Sequence, residues 1–502
     1  MSKIGQYLIL LVIILAGFWF RLEGIRDNHS FWSDEAFVAS LSRDILTNKK
    51  SLGETLKLYD YQRLHLLTTT VSMMLFGTTE FGARLPSVIF GTISIGVISL
   101  LTSSLSNAKG GLLACFLMAF SQLQLANDTQ AKVYSALTLL FLSVLYLLVL
   151  LEKKGKNLIK VHVLIVLLSS LVTLFHYLGI LIWIPYAIHL MATHRATIFA
   201  QFKKLLYIIV VVAISCFLFY ILHIGTILGY FFQGKTFGLF LFPVNNVTYF
   251  RELLWRNYSF ITLPSLVGIG LLIYQKKYAL SSAILGFLGF YIYLWTFKQY
   301  SHNIRYLLPI FAIIFVFCGV FWANVAEKLF PKHQFFLIFS IIILLYVGGY
   351  KIVRKPAPYY SPNADLYGDV QNADYKTFFG LLKKRFPDLS NTAMITDWGD
   401  TQHWYLPEKP VTAYFMKRFV SEDPEPNNID NVMMFGTVEQ FLAIQKKYPK
   451  GLVVIEDWVS FFPDDLKNYV KLNLKQEFRV ESLEVSPTDK WPLELYSWGM
   501  DK

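Results

Sequence analysis

Charged residues are scarce in this chain of 502 residues, at 16% against about 25% in an ordinary soluble protein. Hydrophobic residues reach 55% and aromatic residues 17%. A chain this long and apolar has too few polar side chains to cover a soluble surface, which excludes a soluble globular enzyme. Cysteine is scarce too, since Cys115, Cys216 and Cys318 are the only three and all lie inside apolar runs. These three cysteines offer neither a disulfide framework nor a cysteine-based metal site.

Long apolar segments stand in place of a polar surface. A helix needs roughly 20 mostly apolar residues to cross a bilayer with its backbone hydrogen bonds satisfied internally. The sequence therefore predicts an α-helical polytopic membrane protein with about eleven transmembrane helices. The first is expected to be a retained anchor, because no small-residue cleavage site follows it. The predicted segments are 7–20, 85–105, 111–127, 133–151, 158–176, 178–193, 204–224, 261–275, 278–297, 305–323 and 334–350.

The placement of basic residues predicts the orientation of these helices. Every second connection is short and basic, as expected for cytoplasmic loops. This pattern places the N-terminus in the cytoplasm and the chain in the plasma or inner membrane. An odd number of spans then puts the C-terminal segment outside. The basic residues concerned are Lys109, Lys153, Lys154, Lys156, Lys160, Arg195, Lys203, Lys204, Lys276, Lys277, Lys328 and Lys332.

The composition changes near Lys351. Residues 351–502 hold 22 of the 34 acidic residues and 19 of the 46 basic ones, which predicts a soluble extracytoplasmic α/β domain after a membrane domain of residues 1–350. The formal net charge of +12 divides into +15 for the membrane domain and −3 for the outer one. The basic excess is therefore no nucleic-acid patch, and no nucleic-acid partner is expected. The predicted elements of the outer domain are a helix over 372–386 and strands at 393–396, 451–457 and 478–485.

A long outer loop, predicted over 21–84 with amphipathic helices, follows the first span. Ser33 is the expected N-cap of a helix that Asp34 and Glu35 open. Its apolar stripe is predicted to lie on the membrane surface. The plain alternative is that both acidic residues only complement the helix dipole. Adjacent helical residues diverge by about 100°, so the two carboxylates cannot act on one atom; one is free for chemistry while the other fixes a basic neighbour.

Three segments together resemble a known family. They are the W-x-D-E-A sequence at 32–36, LFGTTEFGARLPSVIFG at 75–91 and RYLLP at 305–309. In these segments the chain resembles the GT-C superfamily of integral membrane glycosyltransferases. The branch is that of the protein O-mannosyltransferases, which use dolichyl-phosphate-mannose, and of the lipid A aminoarabinose transferase. The similarity covers about residues 1–350, and no claim of resemblance is made for 351–502.

The resemblance implies a glycosyltransferase of the cell envelope that uses a polyprenyl-phosphate-linked sugar donor. Such enzymes transfer the sugar on the outer face of the membrane to an acceptor lipid, glycan or protein, usually with inversion. The family's aspartate and glutamate fall on Asp34 and Glu35, which makes these the catalytic candidates, with Asp34 as general base. A family His-Pro-Pro-Leu element would fall on residues 61–64, where only the leucine survives. Arg63 or His65 is therefore expected to replace the usual contact to the carrier phosphate.

Further donor-binding candidates lie at the outer ends of spans. Lys132 and Tyr134 match a family element at 127–134, and Asp128 is a candidate second acidic contact to the donor sugar. Arg305 and Arg84 each stand at the start of a span. The alternatives are that basic residues here extend toward lipid headgroups, that Arg84 pairs with Glu80, and that Asp128 belongs to a helix-joining turn.

The expected chemistry needs one carboxylate and a cluster of cations. A polyprenyl phosphate leaves without a protonating acid if cations meet its developing charge, while a carboxylate takes the proton of the acceptor. No cofactor is expected and a divalent cation is not required. The competing hypothesis is a transporter or flippase for a lipid-linked glycan. Its hallmark would be charges at mid-membrane, whereas the charges here cluster at the outer edge.

One segment of the outer domain, TDWGDTQHWY at 396–405, is rich in polar side chains. Its Asp397, Trp398, Asp400 and His403 either select the acceptor or belong to a loop at a strand end. The sequence leaves both interpretations open.

Overall fold

The computed structural model describes a helical part and a C-terminal part built on a β-sheet. The predicted transmembrane segment 204–224, most of the residues from 230 to 257 and Trp398 lie outside the described residues. The described residues are 3–26, 30–154, 159–200, 247–251, 254, 258–297, 304–348, 351–354, 373–397, 399–420, 423–427, 430–456, 461–481 and 492–500.

The first part of the chain is built of helices joined by short turns, with 3-10 turns at Asp60–Gln62, Tyr177–Ile182 and Ile304–Leu307. The described helices are α1 (Lys3–Arg26), α2 (Ser33–Leu46), α3 (Leu52–Leu58), α4 (Arg63–Phe76), α5 (Glu80–Leu105), α6 (Ala108–Phe120), α7 (Gln122–Asp128), α8 (Tyr134–Lys154), α9 (Ile159–Phe175), α10 (Trp183–Ala200), α11 (Val247–Phe250), α12 (Ser259–Tyr274), α13 (Tyr278–Phe297), α14 (Leu308–Leu329) and α15 (Gln334–Gly348).

Six stretches within the described residues are long and apolar enough to cross a membrane. The shorter helices α6, α9, α12 and α15 are also apolar. Each of these stretches overlaps one of the predicted transmembrane segments, which confirms a polytopic helical membrane protein. The six are Ile4–Arg26, Glu80–Leu105, Tyr134–Lys153, Tyr177–His194, Tyr278–Thr296 and Arg305–Leu329.

Helix α14 forms the centre of this bundle, since every residue from 308 to 320 is buried. It packs closely on α6 where two glycines face each other. A Cβ on Gly319 would lie 2.6 Å from the carbonyl oxygen of Gly110, and one on Gly110 would lie 2.7 Å from that of Gly319. The absence of both side chains lets the two backbones approach, as is common between membrane helices. Any larger residue there would separate α6 from α14.

The outer loop folds into α2, α3 and α4 and the start of α5, and two predictions about α2 are wrong. The N-cap is Trp32, whose carbonyl accepts from Ala36 N (2.9 Å), so Ser33 is already the first helical residue. The reason is that the carboxylate of Glu35 accepts from the backbone of Trp32 (3.2 Å) and closes the turn one residue earlier. The apolar stripe, including Val38 and Leu41, is buried against protein and does not lie on the membrane surface.

The C-terminal part is an α/β fold with one mixed sheet of seven strands in the order β3-β4-β2-β1-β5-β7-β6. Strands β4, β2, β1 and β5 are parallel, and the others pair antiparallel. The predicted helix and first two strands are confirmed, whereas the third strand begins three residues earlier than predicted. The elements are α16 (Tyr375–Arg385), β1 (Ala393–Thr396), α17 (Asp400–Tyr405), β2 (Ala413–Phe415), β3 (Glu425–Pro426), β4 (Met433–Phe435), α18 (Val438–Lys447), β5 (Gly451–Glu456), α19 (Asp464–Asn473), β6 (Lys475–Val480) and β7 (Leu493–Trp498).

The sheet-containing part contacts the outer loop through side chains around α2. The backbone N of Phe31 donates to the hydroxyl of Tyr405 (2.6 Å). The guanidinium of Arg43 donates to the carbonyl of Trp404 (2.9 Å) and also lies over that indole ring. Helix α2 is therefore held between the helical bundle and helix α17.

Candidate active site

A cleft of about 490 Å³ lies at the N-terminal end of α2. Its walls come from α2, from the turn before α4, from the segment between α7 and α8, and from the turn before α14. The charged and polar lining is Asp34, Tyr59, Tyr61, Gln62, His65, Lys132, Tyr134, His176, Tyr177, Arg305, Tyr306 and Asp400.

Asp34 presents its carboxylate to this cleft between two cations. Its Oδ2 lies 3.3 Å from the Nζ of Lys132 and accepts a hydrogen bond of 3.0 Å from the Nη1 of Arg305. The Asp34 side chain is 52% exposed, whereas those of Lys132 and Arg305 are 4% and 18% exposed. Among the described residues both ion pairs use Oδ2, so Oδ1 takes part in neither of them. A reactant in the cleft thus meets one carboxylate oxygen and two fixed positive charges.

These neighbours set the charge state of both groups. The cleft walls withhold water from Asp34 and oppose its ionisation, but Lys132 and Arg305 outweigh them and lower the pKa of Asp34 to about 2. Burial, together with the positive charge of Arg305, lowers the pKa of Lys132 to about 8, against the attraction of Asp34 and Glu35. Asp34 is therefore ionised throughout the physiological range, while Lys132 loses its proton within reach of mildly alkaline pH.

Aromatic side chains hold Arg305 in place. Its guanidinium lies 5.6 Å from the ring centre of Tyr134 and 5.5 Å from that of Tyr306, close enough for a cation–π interaction. The two tyrosine rings pack edge to face. Next to them, His176 stacks on Tyr177 at 4.2 Å. This aromatic wall fixes the direction of the cation without neutralising it.

His65 also lines the cleft, but it is held as a neutral group. It is buried, and its Nε2–H donates to the carbonyl of Ala131 (3.2 Å). Burial lowers the pKa of His65 to about 4, although the bond to that carbonyl opposes the change. Because its proton is already bonded to the Ala131 carbonyl, the neutral imidazole presents a polar edge to the cleft but no positive charge.

The structure does not bring Glu35 or Arg84 to the cleft. Both side chains are fully buried, and the Arg84 Nε donates to the Glu35 Oε1 (2.9 Å). The same oxygen accepts from the backbone N of Ala131 (2.7 Å). Glu35 therefore joins α5 and the Lys132 segment to the first turn of α2, and it acts as a positioning residue. Of the two roles predicted for Glu35, the contact with a basic neighbour is observed, whereas its side chain does not line the cleft as a catalytic group would.

Two further candidates also lie away from the cleft. Arg63 turns its Nε to the carbonyl of Leu56 (3.2 Å). Asp128 is fully buried in an ion pair with Arg21 at 2.8 Å, and its other oxygen accepts from the hydroxyl of Ser135 (2.6 Å). Arg21 also donates to carbonyls of α6, so this pair fastens α1 to the bundle. Among the predicted candidates, the cleft is lined by Asp34, His65, Lys132, Tyr134 and Arg305.

Sequence reasoning missed two kinds of residue. Arg21 was not singled out, although a lone arginine at the end of an apolar span and Asp128 at another span end are the signal of a buried pair. The sequence leaves the role of Asp400 open, and the structure places it in the wall of the cleft. Tyr59 carries no sequence signal, because tyrosine is abundant in this chain. Tyr306 lies within the RYLLP segment, where only Arg305 was a candidate. The described residues hold no group of three or more His, Cys, Asp or Glu side chains placed to bind a metal ion.

Comparison with known proteins supports the resemblance seen in the sequence. Residues 64–222 match the family described as dolichyl-phosphate-mannose-protein mannosyltransferase. The structure of ArnT from Cupriavidus metallidurans in the apo state matches with a TM-score of 0.62 at 12% identity, over 99% of this chain and 98% of that one. The chain therefore shares the fold of ArnT, and about a third of it matches the mannosyltransferase family. Its long apolar helices, together with this fold, support an integral membrane protein.

Two further solved structures match over most of their length. ArnT from the same organism bound to undecaprenyl phosphate gives a TM-score of 0.63 at 12% identity, over 99% of this chain and 98% of that one. The apo oligosaccharyltransferase of Archaeoglobus fulgidus gives 0.59 at 13% identity, over 98% of this chain and 74% of that one. At these identities the likeness is one of fold. Comparison with curated protein sequences gave no match.

Proposed function

We propose that this chain is a GT-C glycosyltransferase that transfers a sugar from a polyprenyl phosphate carrier to an acceptor on the outer face of the membrane, with inversion. The observation that carries the proposal is the pairing of Asp34 with Lys132 and Arg305 in one cleft. Two cations that meet at one point suit a phosphate leaving group, and the carboxylate beside them suits a general base. ArnT, whose fold this chain shares, has been crystallised with undecaprenyl phosphate.

The donor phosphate is proposed to replace Asp34 as the partner of the two cations. Both cations contact the Oδ2 of Asp34 in the structure, so a phosphate that binds them weakens these ion pairs. The pKa of Asp34 is low because of those same charges, and it therefore rises when phosphate competes for them. Donor binding thus makes Asp34 a stronger base at the moment when a base is needed.

The transfer is then a single displacement. An acceptor hydroxyl or amine in the cleft gives its proton to Asp34, while its oxygen or nitrogen forms the bond to the anomeric carbon. The bond from that carbon to the phosphate oxygen breaks, and Lys132 and Arg305 receive the negative charge that develops there. One displacement at one carbon inverts its configuration. Tyr134 acts through Arg305, whose guanidinium it supports.

We further propose that the reaction proceeds without a divalent cation, because Lys132 and Arg305 supply the positive charge at the phosphate. Transfer activity that is lost on treatment with a chelator and restored by one metal would contradict this. We also propose that the N-terminus is cytoplasmic and that residues 351–502 are extracytoplasmic. The short basic connections between the predicted transmembrane segments support this orientation.

The proposal is tested by supplying purified full-length protein with radiolabelled polyprenyl phosphate sugars and membrane extract. We expect label to leave the carrier and become covalently attached to an acceptor. Passage of intact labelled carrier from one leaflet of a vesicle to the other, without transfer, would favour the flippase hypothesis instead.

A further inference from the structure

A second cavity of about 720 Å³ adjoins the active-site cleft, between α2 and the C-terminal sheet. Phe37 and Asp400 line both the cleft and the second cavity. The two spaces are therefore adjacent and share a wall. The polar lining of the second cavity is Ser40, Arg43, Asp44, Lys49, Lys50, Asp397, Asp400, His403, Tyr414, Asn427, Asp430 and Asn431.

One face of α2 leads from the proposed base into this second cavity. Asp34, Phe37, Leu41 and Asp44 are three or four residues apart, so they lie on one side of the helix. At a rise of 1.5 Å per residue, Ser40 lies about 9 Å and Asp44 about 15 Å along the helix from Asp34. A short saccharide with one end at Asp34 would therefore extend into the second cavity.

The sheet side of the cavity is built where α/β folds commonly bind ligands. Asp397 directly follows strand β1, and Asp400 opens helix α17 after it. The parallel neighbours of β1 are β2 on one side and β5 on the other. The strands that follow β1 in the chain are thus added first on one side of it and then on the other. At such a switch point the carboxyl ends of the parallel strands form a crevice. The cavity occupies this edge.

The lining carries donors and acceptors that are held in place. The carboxylate of Asp430 accepts from the hydroxyl of Tyr414 (2.5 Å) and lies 3.0 Å from the Nε2 of His403. The hydroxyl of Ser40, a residue only 7% exposed, has no hydrogen-bond partner among the described residues. The same holds for the buried Nε of Arg43. Buried polar groups are nearly always paired, so these two atoms are available to bond with a group in the cavity.

We infer that the second cavity binds the carbohydrate portion of the acceptor, an inference that rests on the proposed function. Sugar hydroxyls both donate and accept, which suits a lining that mixes carboxylates and amides with cations. Phe37 and Tyr414 add apolar ring surface for the faces of a sugar. The acceptor is a glycolipid headgroup or a free glycan, since both present this chemistry.

The matched pair Ser40→Ala and Ser42→Ala tests the inference. Ser40 lines the cavity, whereas Ser42, two residues away and so about 200° round the helix, accepts from the hydroxyl of Thr70 in α4. Full-length variants receive radiolabelled polyprenyl phosphate sugar with envelope extract divided into glycolipid, aqueous glycan and protein fractions. We expect Ser40→Ala to raise the half-saturating acceptor concentration by about 2- to 10-fold, the effect of one hydrogen bond. The half-saturating donor concentration stays unchanged, and Ser42→Ala changes neither.

The outcomes separate the two proposals. Label in the glycolipid or in the aqueous glycan fraction supports the inference and identifies the source of the sugar. Label in the protein fraction alone overturns the inference. So does an unchanged half-saturating acceptor concentration in both Ser40→Ala and Asp430→Asn. Either result leaves the proposed function standing. No transfer by the unaltered protein to any fraction overturns the proposed function and the inference with it.

Discussion

Lys132 is the group in the cleft whose charge changes nearest to neutral pH. Burial and Arg305 lower its pKa to about 8, so its ammonium is charged below that pH and neutral above it. Since only the charged form attracts phosphate, we expect the affinity for undecaprenyl phosphate to fall as pH rises through about 8. Lys132→Arg should keep the affinity to higher pH, because the guanidinium stays protonated. Binding titrations at pH 6 to 10 check this, and an identical pH profile for both proteins would contradict it.

Glu35 differs from Asp34 in what its loss should do. Glu35→Gln removes the nearer carboxylate partner of the buried Arg84 guanidinium and leaves only the longer contact to Glu80, at 3.9 Å. Breaking a buried pair costs about 3–5 kcal/mol, so the variant should melt at a clearly lower temperature in detergent. The comparison is Asp34→Asn, whose side chain is half exposed and whose melting temperature should change little. Equal melting temperatures for Glu35→Gln and the unaltered protein would contradict the positioning role.

At the scale of elements, the Arg21–Asp128 pair fastens α1 to the bundle. Asp128→Ala removes the partner of a fully buried arginine and should cost about 3–5 kcal/mol of stability. The half-saturating donor concentration of the remaining folded protein should stay unchanged, because Asp128 does not line the cleft. Thermal unfolding and donor titration check the two parts. If the variant is instead as stable as the unaltered protein but binds the donor more weakly, the result would support Asp128 as a contact to the donor sugar.

The elements also show how far the sequence carries. Apolar length predicted the membrane helices, because the bilayer forces a helix to satisfy its own backbone. The direction of α2 was not predictable in the same way. The apolar stripe of α2, which includes Val38 and Leu41, would suit a membrane surface equally well. It is buried in protein because α4 and α17 pack against it.

The candidate site shows a similar division between local and distant information. The family resemblance predicts three site residues that lie far apart in the chain, namely Asp34, Lys132 and Arg305. The structure shows that they are in contact. The resemblance could not separate Arg84 from Arg305, because both are arginines at the start of a span. Which one reaches the cleft depends on which carboxylate lies opposite, and that is decided by the packing of α2.

At the scale of the whole molecule, the proposed orientation predicts which surfaces face outward. A cysteine introduced at Lys450, in the C-terminal part, should react with a membrane-impermeant thiol reagent in intact cells or right-side-out vesicles. One introduced at Lys153 should react only after the membrane is opened. Cys115 and Cys318 are buried, so they add little background, and a variant with Cys216 replaced completes the control. Reaction of Lys153→Cys but not Lys450→Cys in sealed vesicles would reverse the orientation.

The central claim is that Asp34 removes the acceptor's proton while Lys132 and Arg305 hold the donor phosphate. The most direct measurement compares Asp34→Asn with Asp60→Asn, the same change in the same outer loop at a residue that does not line the cleft. We predict that Asp34→Asn lowers the transfer rate by about 10²–10⁴-fold while undecaprenyl phosphate still binds, and that Asp60→Asn transfers normally. Full transfer activity in Asp34→Asn protein would contradict the account.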